Sequence, residues 1–184
     1  VFTGFTGETV DFMWGIRFNN ERSWFEAHKE QYKEQFYGPM QALSQEVYSR
    51  FDSAHPELGI IRKVTRIYRD GRRLHGRGPY KDPEGYSYGM GFYCAPPLTM
   101  AKFRARLDRD PKPFEALIRT FNRQDTFVLE GEDYKRPKGN TSSLLSPWYH
   151  KKNFSLIHEG PHEDCLFSHD LADRLVDGYE FLLP

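Results

Sequence analysis

The helical rhythm of this chain is interrupted between residues 61 and 94, and that interruption limits the folds open to it. Before it, apolar residues recur three and four apart, which predicts amphipathic helices. Thr6 is placed to cap a first helix, with Phe5 outside it and Val10, Met13 and Trp14 on the buried side. Asn19-Asn20 breaks that helix, and Asn20 can cap a second one carrying Trp24, Phe25, His28, Tyr32 and Phe36. Gly38-Pro39 reads as a stop, with Pro39 opening a third helix whose stripe is Met40, Leu43, Val47 and Phe51. Helical pattern returns at 103–107, then at Phe114, Leu117, Ile118 and Phe121, and after Ser168 through Leu171, Leu175, Tyr179 and Leu182. Within the break, the β-branched neighbours of Val64 predict a strand over 61–68, and glycines and aromatics predict a second over 86–94, with a bulge. A short strand is expected at 126–129. Helices at both ends flanking a central antiparallel or mixed sheet define an α+β class, and 184 residues suit a single domain, 1–184.

The same break holds the chain's charge anomaly. Residues 62–81 carry eight Lys or Arg and one acid, Asp70, leaving 18 basic against 25 acidic residues elsewhere in a formally neutral protein. Concentrated positive charge presents a local anion-attracting field. Arginine donates in a rigid fork that matches phosphate, and Gly71, Gly76 and Gly78 would let backbone N–H groups approach an anion. Arg66, Arg69 and Arg72 are three apart, so a strand alone does not put them on one face, and a bend at Gly71 is needed. The candidate ligand contacts are therefore Arg66, Arg69, Arg72 and Lys81, with Tyr68 and Tyr80 as groove walls. Asp70, held ionised by nearby cations, is the candidate acid that orients arginine. Trp24 and His28 share a helix face and are candidates to stack on a base or sugar. The plainer alternatives are a solvated strand edge for the basic segment and a packed core pair for Trp24 and His28.

Other classes of chemistry find little footing. No apolar run approaches the roughly 20 residues of a membrane span, and no leader opens the chain, although one removed ahead of Val1 stays open. Cys94 and Cys165 read as two reduced core thiols, which are no disulfide framework and suit the cytoplasm. His158-Glu159-Gly160-Pro161-His162 matches a zinc motif literally, but that motif needs a continuous helix, and Pro161 breaks one. No metal is expected. Phosphate-loop, nucleophile-elbow and dinucleotide signatures do not occur, so no cofactor is expected either. The polar loop over 131–147 carries a second basic knot, Lys135-Arg136-Pro137-Lys138.

Three separated motifs resemble a known family. Phe5-Thr6, Asn19-Asn20-x-Arg22-x-Trp24-Phe25-x-x-His28-Lys29, and Arg66-Ile67-Tyr68-Arg69-Asp70 followed by Pro79-Tyr80-Lys81 are similar to a bacterial conserved domain family of unknown function, numbered 2461 among such domains. The resemblance runs through Lys135-Arg136-Pro137 to the last helix and implies a single α+β domain, with no activity, cofactor or substrate to carry over. Where the family has Phe-Ser-x-Asp-Lys, this chain has Arg73, Leu74, His75, Gly76 and Arg77, so a second acid beside Asp70 is missing. A glycine-rich turn after Tyr93 is shortened to Ala95-Pro96-Pro97, and the chain stops early at Pro184; either this member differs or residues are missing near 95–100 and at the C-terminus.

The leading reading is a cytoplasmic domain that binds a phosphate-bearing or otherwise anionic small ligand in an Arg/Lys/Tyr groove, with turnover left open. A nucleic-acid-binding module is the alternative, weakened by the zero net charge. A protein-interaction domain using aromatic surface is the third reading. Oligomeric state is not legible.

Overall fold

The computed structural model describes residues 1–70, 76–82, 85–161 and 163–184, so Arg72 and His162 lie outside the described residues. In chain order the helices are α1 (Gly7–Phe18), α2 (Arg22–Ala27), α3 (Lys29–Gln31), α4 (Gly38–Ala54), α5 (Pro97–Arg109), α6 (Lys112–Phe121), α7 (Ser146–Tyr149) and α8 (Asp170–Leu182). The strands are β1 (Tyr86–Phe92), β2 (Val128–Glu130) and β3 (Phe154–Gly160). Helices at both ends around a three-stranded antiparallel sheet, among the described residues, make the fold α+β as expected. The chain divides into two compact units, Val1–Tyr86 with Gly160–Gly178, and Ser87–Glu159 with Tyr179–Pro184. Among the described residues no helix is long and apolar enough to cross a membrane.

In the first unit Thr6 caps α1 as predicted. Its hydroxyl accepts the Thr9 N–H while the Thr9 hydroxyl accepts the Thr6 N–H. The buried face is rotated from the expected one: Thr9, Phe12, Met13 and Ile16 are buried, whereas Trp14 is exposed and stacks on Phe18.

Two expected boundaries move. The N-cap position of α2 is Glu21, not Asn20, and no side chain caps it, while the Asn20 amide is engaged elsewhere. Gly38-Pro39 does not end a helix; a wider π-turn, Tyr32–Tyr37, carries α3 directly into α4. Proline has no N–H and its ring crowds the carbonyl four residues back, here Gln35. The wider turn sends the Gly38 N–H to Lys33 O, and the Thr9 hydroxyl donates to the Gln35 carbonyl. Leu43, Val47 and Phe51 then form the buried stripe of α4 as expected.

The predicted strand over 61–68 is not one. Only Tyr68 pairs, antiparallel to Tyr80, and residues 61–66 run without a ladder. Ile61, Arg62, Lys63, Thr65 and Arg66 are all exposed, so there is no apolar face to seat a longer strand on the core.

The start of α8 is tied to α4 by charge. Ser168 Oγ accepts the Asp170 N–H at 3.2 Å, as its predicted capping role requires. Arg50 meets Asp173 at 2.7 Å, and the Glu46 carboxylate accepts the Phe2 N–H at 3.0 Å as well as pairing with His169. The Phe2 N–H, and after it His169, hold the Glu46 carboxyl below its ordinary value of 4.5. A carboxylate whose folded pKa is depressed contributes stability that is fully present above the unfolded value and lost as pH falls through the folded one. Melting temperature should therefore drop more between pH 6 and pH 3 in the parent protein than in Glu46→Gln. Parallel pH profiles for the two would show that this carboxylate carries none of the acid sensitivity.

The second unit contains nearly all of the sheet, in the order β1-β3-β2. In the β2–β3 pair Val128 faces Ile157 and Glu130 faces Ser155. Its core is Met100, Leu107, Ile118, Trp148, Tyr149 and Phe154, drawn from α5, α6, α7 and β3. Both β1 and the short β2 fall near their predicted places, but the middle strand β3 was not foreseen. Phe154 and Ser155 are both buried, so the strand lacks the alternation that marks a half-exposed one.

That strand also settles the geometry of the apparent zinc motif. His158 and Glu159 lie on β3, not on a helix, and His158 Nδ1 sits 2.9 Å from the Thr126 carbonyl oxygen. Cys94 is exposed and Cys165 half-buried, so neither is the core thiol expected, although both are free.

Candidate functional site

The basic segment folds back on itself through one short antiparallel pairing. Arg69 N–H donates to Pro79 O and Lys81 N–H to Ile67 O, both at 2.8 Å, on either side of the Tyr68–Tyr80 bridge. The outer edge of Tyr80 is completed by a side chain. Asn20 Nδ2 donates to Tyr80 O at 3.0 Å, and Tyr80 N–H donates to Asn20 Oδ1 at 2.9 Å. A primary amide has the donor and acceptor of a peptide group, so Asn20 acts as a one-residue strand against 79–81. Gly78 admits it: a Cβ there would lie 2.3 Å from Asn20 Cγ.

Charge around this pairing differs from the expected pattern. Arg69 does not open onto a groove; its guanidinium donates to Gly78 O at 3.0 Å and pairs with Asp82. The Arg69 side chain is only 14% exposed, which marks a structural pair. The acid that orients Arg69 is thus Asp82, while Asp70 is exposed. Asn20 Nδ2 also approaches Asp82 Oδ2 at 3.4 Å, so the three side chains form one connected network.

Lys81 is arranged otherwise. Its Nζ donates to Thr65 Oγ1 and Arg66 O, each at 2.9 Å, and both acceptors are uncharged. Arg66 is exposed, and Tyr68 presents 47% of its surface to solvent.

The remaining candidates are packed against protein. Tyr80 is 2% exposed and stacks on Phe25 at 4.3 Å, within a core that includes Phe12, Ile16, Tyr32 and Ile67. Burial pushes the Tyr80 hydroxyl pKa up, with Tyr68 and Glu26 adding to the rise and Arg22 opposing it. Burial likewise raises that of Tyr32. Both phenols stay protonated at neutral pH and serve as packing groups, so Tyr80 is no groove wall. Trp24 and His28 stack on each other at 3.9 Å, and His28 Nδ1 meets the Trp24 carbonyl oxygen at 2.8 Å. Trp24 also abuts Gly15, where a Cβ would lie 2.6 Å from the indole ring. Two rings that face one another are a poor platform for a base.

Arg66, Tyr68 and Lys81 are exposed, with the Lys81 ammonium on the Arg66 carbonyl and the Tyr68 ring against Tyr80, whereas Arg69 is largely covered and Tyr80 is buried. Sequence reasoning gave Asn20 to a helix cap and Gly78 to an anion loop, and passed over Asp82. The available signal was the acid Asp82 directly after Lys81 and the amide Asn20 ahead of the second helix, but each has a commoner local explanation.

An α+β domain with a basic segment clamped onto its N-terminal helices is the class of protein defined so far. The family model described as conserved hypothetical protein (DUF2461) matches residues 8–83 and 81–184, and the chain belongs to that family. No curated protein and no solved structure matches it.

Proposed function

We propose that this domain binds a phosphate-bearing or otherwise anionic small ligand at the surface carrying Arg66, Tyr68 and Lys81. The observation that supports this most is the state of Lys81. Two of its three N–H donors go to neutral oxygens, one of them the Arg66 carbonyl, and no acid among the described residues pairs with it. A cation without an acid keeps its attraction for an anion, and the exposed Arg66 belongs to the same basic run. Tyr68 would flank the ligand, while Arg69, Asp82 and Asn20 hold the platform in place. The reading is one of binding, and no reaction is assigned. Two free thiols suit a reducing compartment such as the cytoplasm.

Melting curves at low salt with inorganic phosphate, pyrophosphate and a nucleotide test the proposal. Binding should raise the melting temperature in proportion to the logarithm of ligand concentration. A charge-assisted hydrogen bond contributes about 1.5–3 kcal/mol, so Arg66→Ala or Lys81→Ala should each weaken binding about tenfold or more with little effect on folding. The reading fails if none of the three anions shifts the parent protein, or if the double variant responds as the parent does. Tight oligonucleotide binding that falls steeply with salt would favour the nucleic-acid reading instead.

A further inference from the structure

The second unit contains a cavity of about 610 Å³ that the basic surface does not account for, and every residue lining it belongs to that unit. A packed interior leaves few voids larger than a water molecule, so a space of this size is no ordinary packing defect. It falls within the roughly 300–1,000 Å³ typical of small-molecule sites. Its wall is made largely of rings: Phe103, Phe114, Phe121, Trp148, Phe154 and Phe181. Phe103 meets Phe114 at 5.3 Å and 83°, Phe114 meets Trp148 at 5.3 Å and 89°, and Trp148 meets Phe154 at 5.5 Å and 79°. Each such contact sets the positive edge of one ring against the negative face of its neighbour and so fixes the orientation of the wall. Trp148 and Phe154 are buried, whereas Leu117 and Phe181 are 37% and 41% exposed, so the cavity runs from an aromatic floor to an open rim.

This lining has no uncommitted charge to offer a ligand. Among the described residues it holds no Lys, Arg or His, so a carboxylate or phosphate would be buried there without a cation. Glu180 is its single ionisable side chain, and that carboxylate already has a partner within the protein. An ammonium group would have to compete for it, and ring faces set against neighbouring edges are not open to a cation. Thr120 is the other polar side chain, and its hydroxyl already donates to Ala116 O. An uncharged apolar body is what the lining accommodates, and a flat aromatic one meets ring edges and faces on several sides. We propose that the cavity binds a neutral molecule with a flat aromatic body, seated on the Trp148 and Phe154 floor with any polar substituent toward the rim at Leu117 and Phe181. This site is separate from the basic surface, so it stands or falls independently of the anion-binding reading.

Four probes separate charge from ring character by calorimetric titration. The compounds 1-naphthalenemethanol, 1-naphthoate and 1-naphthylmethylammonium share one ring system and differ in charge, and decahydronaphthalenemethanol keeps the size without the aromatic faces. The naphthyl alcohol should bind tightest, with favourable enthalpy and a negative heat-capacity change. Both ions should bind about tenfold or more weakly than it does. The saturated alcohol should bind about two- to tenfold more weakly. Leu117→Arg, at an exposed rim position, should give the cavity a cation and move the preference to naphthoate. The proposal is overturned if either ion matches the naphthyl alcohol in the parent protein, if the saturated alcohol binds as tightly, or if none of the probes binds while the protein is folded. It is also overturned if a folded Leu117→Arg variant keeps the parent order, or if sedimentation shows a dimer that this variant dissociates, since a second copy would then cover the cavity. The probe series in the parent protein decides the matter even where the variant is destabilised.

Discussion

Replacing Asn20 with leucine should cost this protein more stability than any other single surface-proximal change, and guanidinium or thermal unfolding would measure it. The side chain satisfies both backbone groups of Tyr80, a residue 2% exposed in the core of the first unit. Leucine has the same branched skeleton but leaves a buried N–H and a buried C=O without partners. Each unsatisfied group costs about 1–3 kcal/mol, so the expected loss is about 2–6 kcal/mol out of the roughly 5–15 typical of a domain. Asn20→Asp is the informative companion. It keeps the acceptor for the Tyr80 N–H but puts a second acceptor against Tyr80 O and near Asp82, so it should be nearly as damaging at neutral pH and partly recover in acid. Unfolding curves within about 0.5 kcal/mol of the parent for both variants would show that water replaces the amide and that the clamp is dispensable.

The second large effect is expected at Arg69. Arg69→Met retains the apolar stem but leaves the Asp82 carboxylate, 27% exposed at its side chain, without its cation. Breaking a fully buried pair costs about 3–5 kcal/mol, and partial exposure of Asp82 lowers the expectation here to about 2–3. The double variant Arg69→Met/Asp82→Leu removes both charges and should recover much of the loss, because two apolar groups leave no buried charge behind. A double-mutant cycle gives the coupling directly. Additive single effects would mean that the two side chains do not act as a pair. This expectation differs from the one the basic run suggests by itself, in which Arg69 is a ligand contact whose removal leaves folding untouched.

The two results together separate platform from surface. Asn20 and Arg69 variants should damage folding, and Arg66 and Lys81 variants should damage anion binding alone. The difference lies in what each cation already has: Arg69 meets a carboxylate, whereas Lys81 meets a hydroxyl and a carbonyl.

Local chemistry was legible in the residues. The Thr6 cap, the Leu43, Val47 and Phe51 stripe, the Ser168 start and the α+β class all follow from short-range spacing and capping, because those forces act within a few residues. What the residues could not disclose is which polar groups would meet across long separations. Asn20 looks like a helix cap until Tyr80, 60 positions later, arrives beside it. Pro39 looks like a helix end until a wider turn and the Thr9 hydroxyl provide for the Gln35 carbonyl. The same holds for β3, whose residues lack alternation because side chains on both of its faces, Phe154 and Ser155, are buried. Arg69 and Lys81 belong to one basic run, and their different fates depend on whether tertiary folding brings each cation a carboxylate or a neutral oxygen.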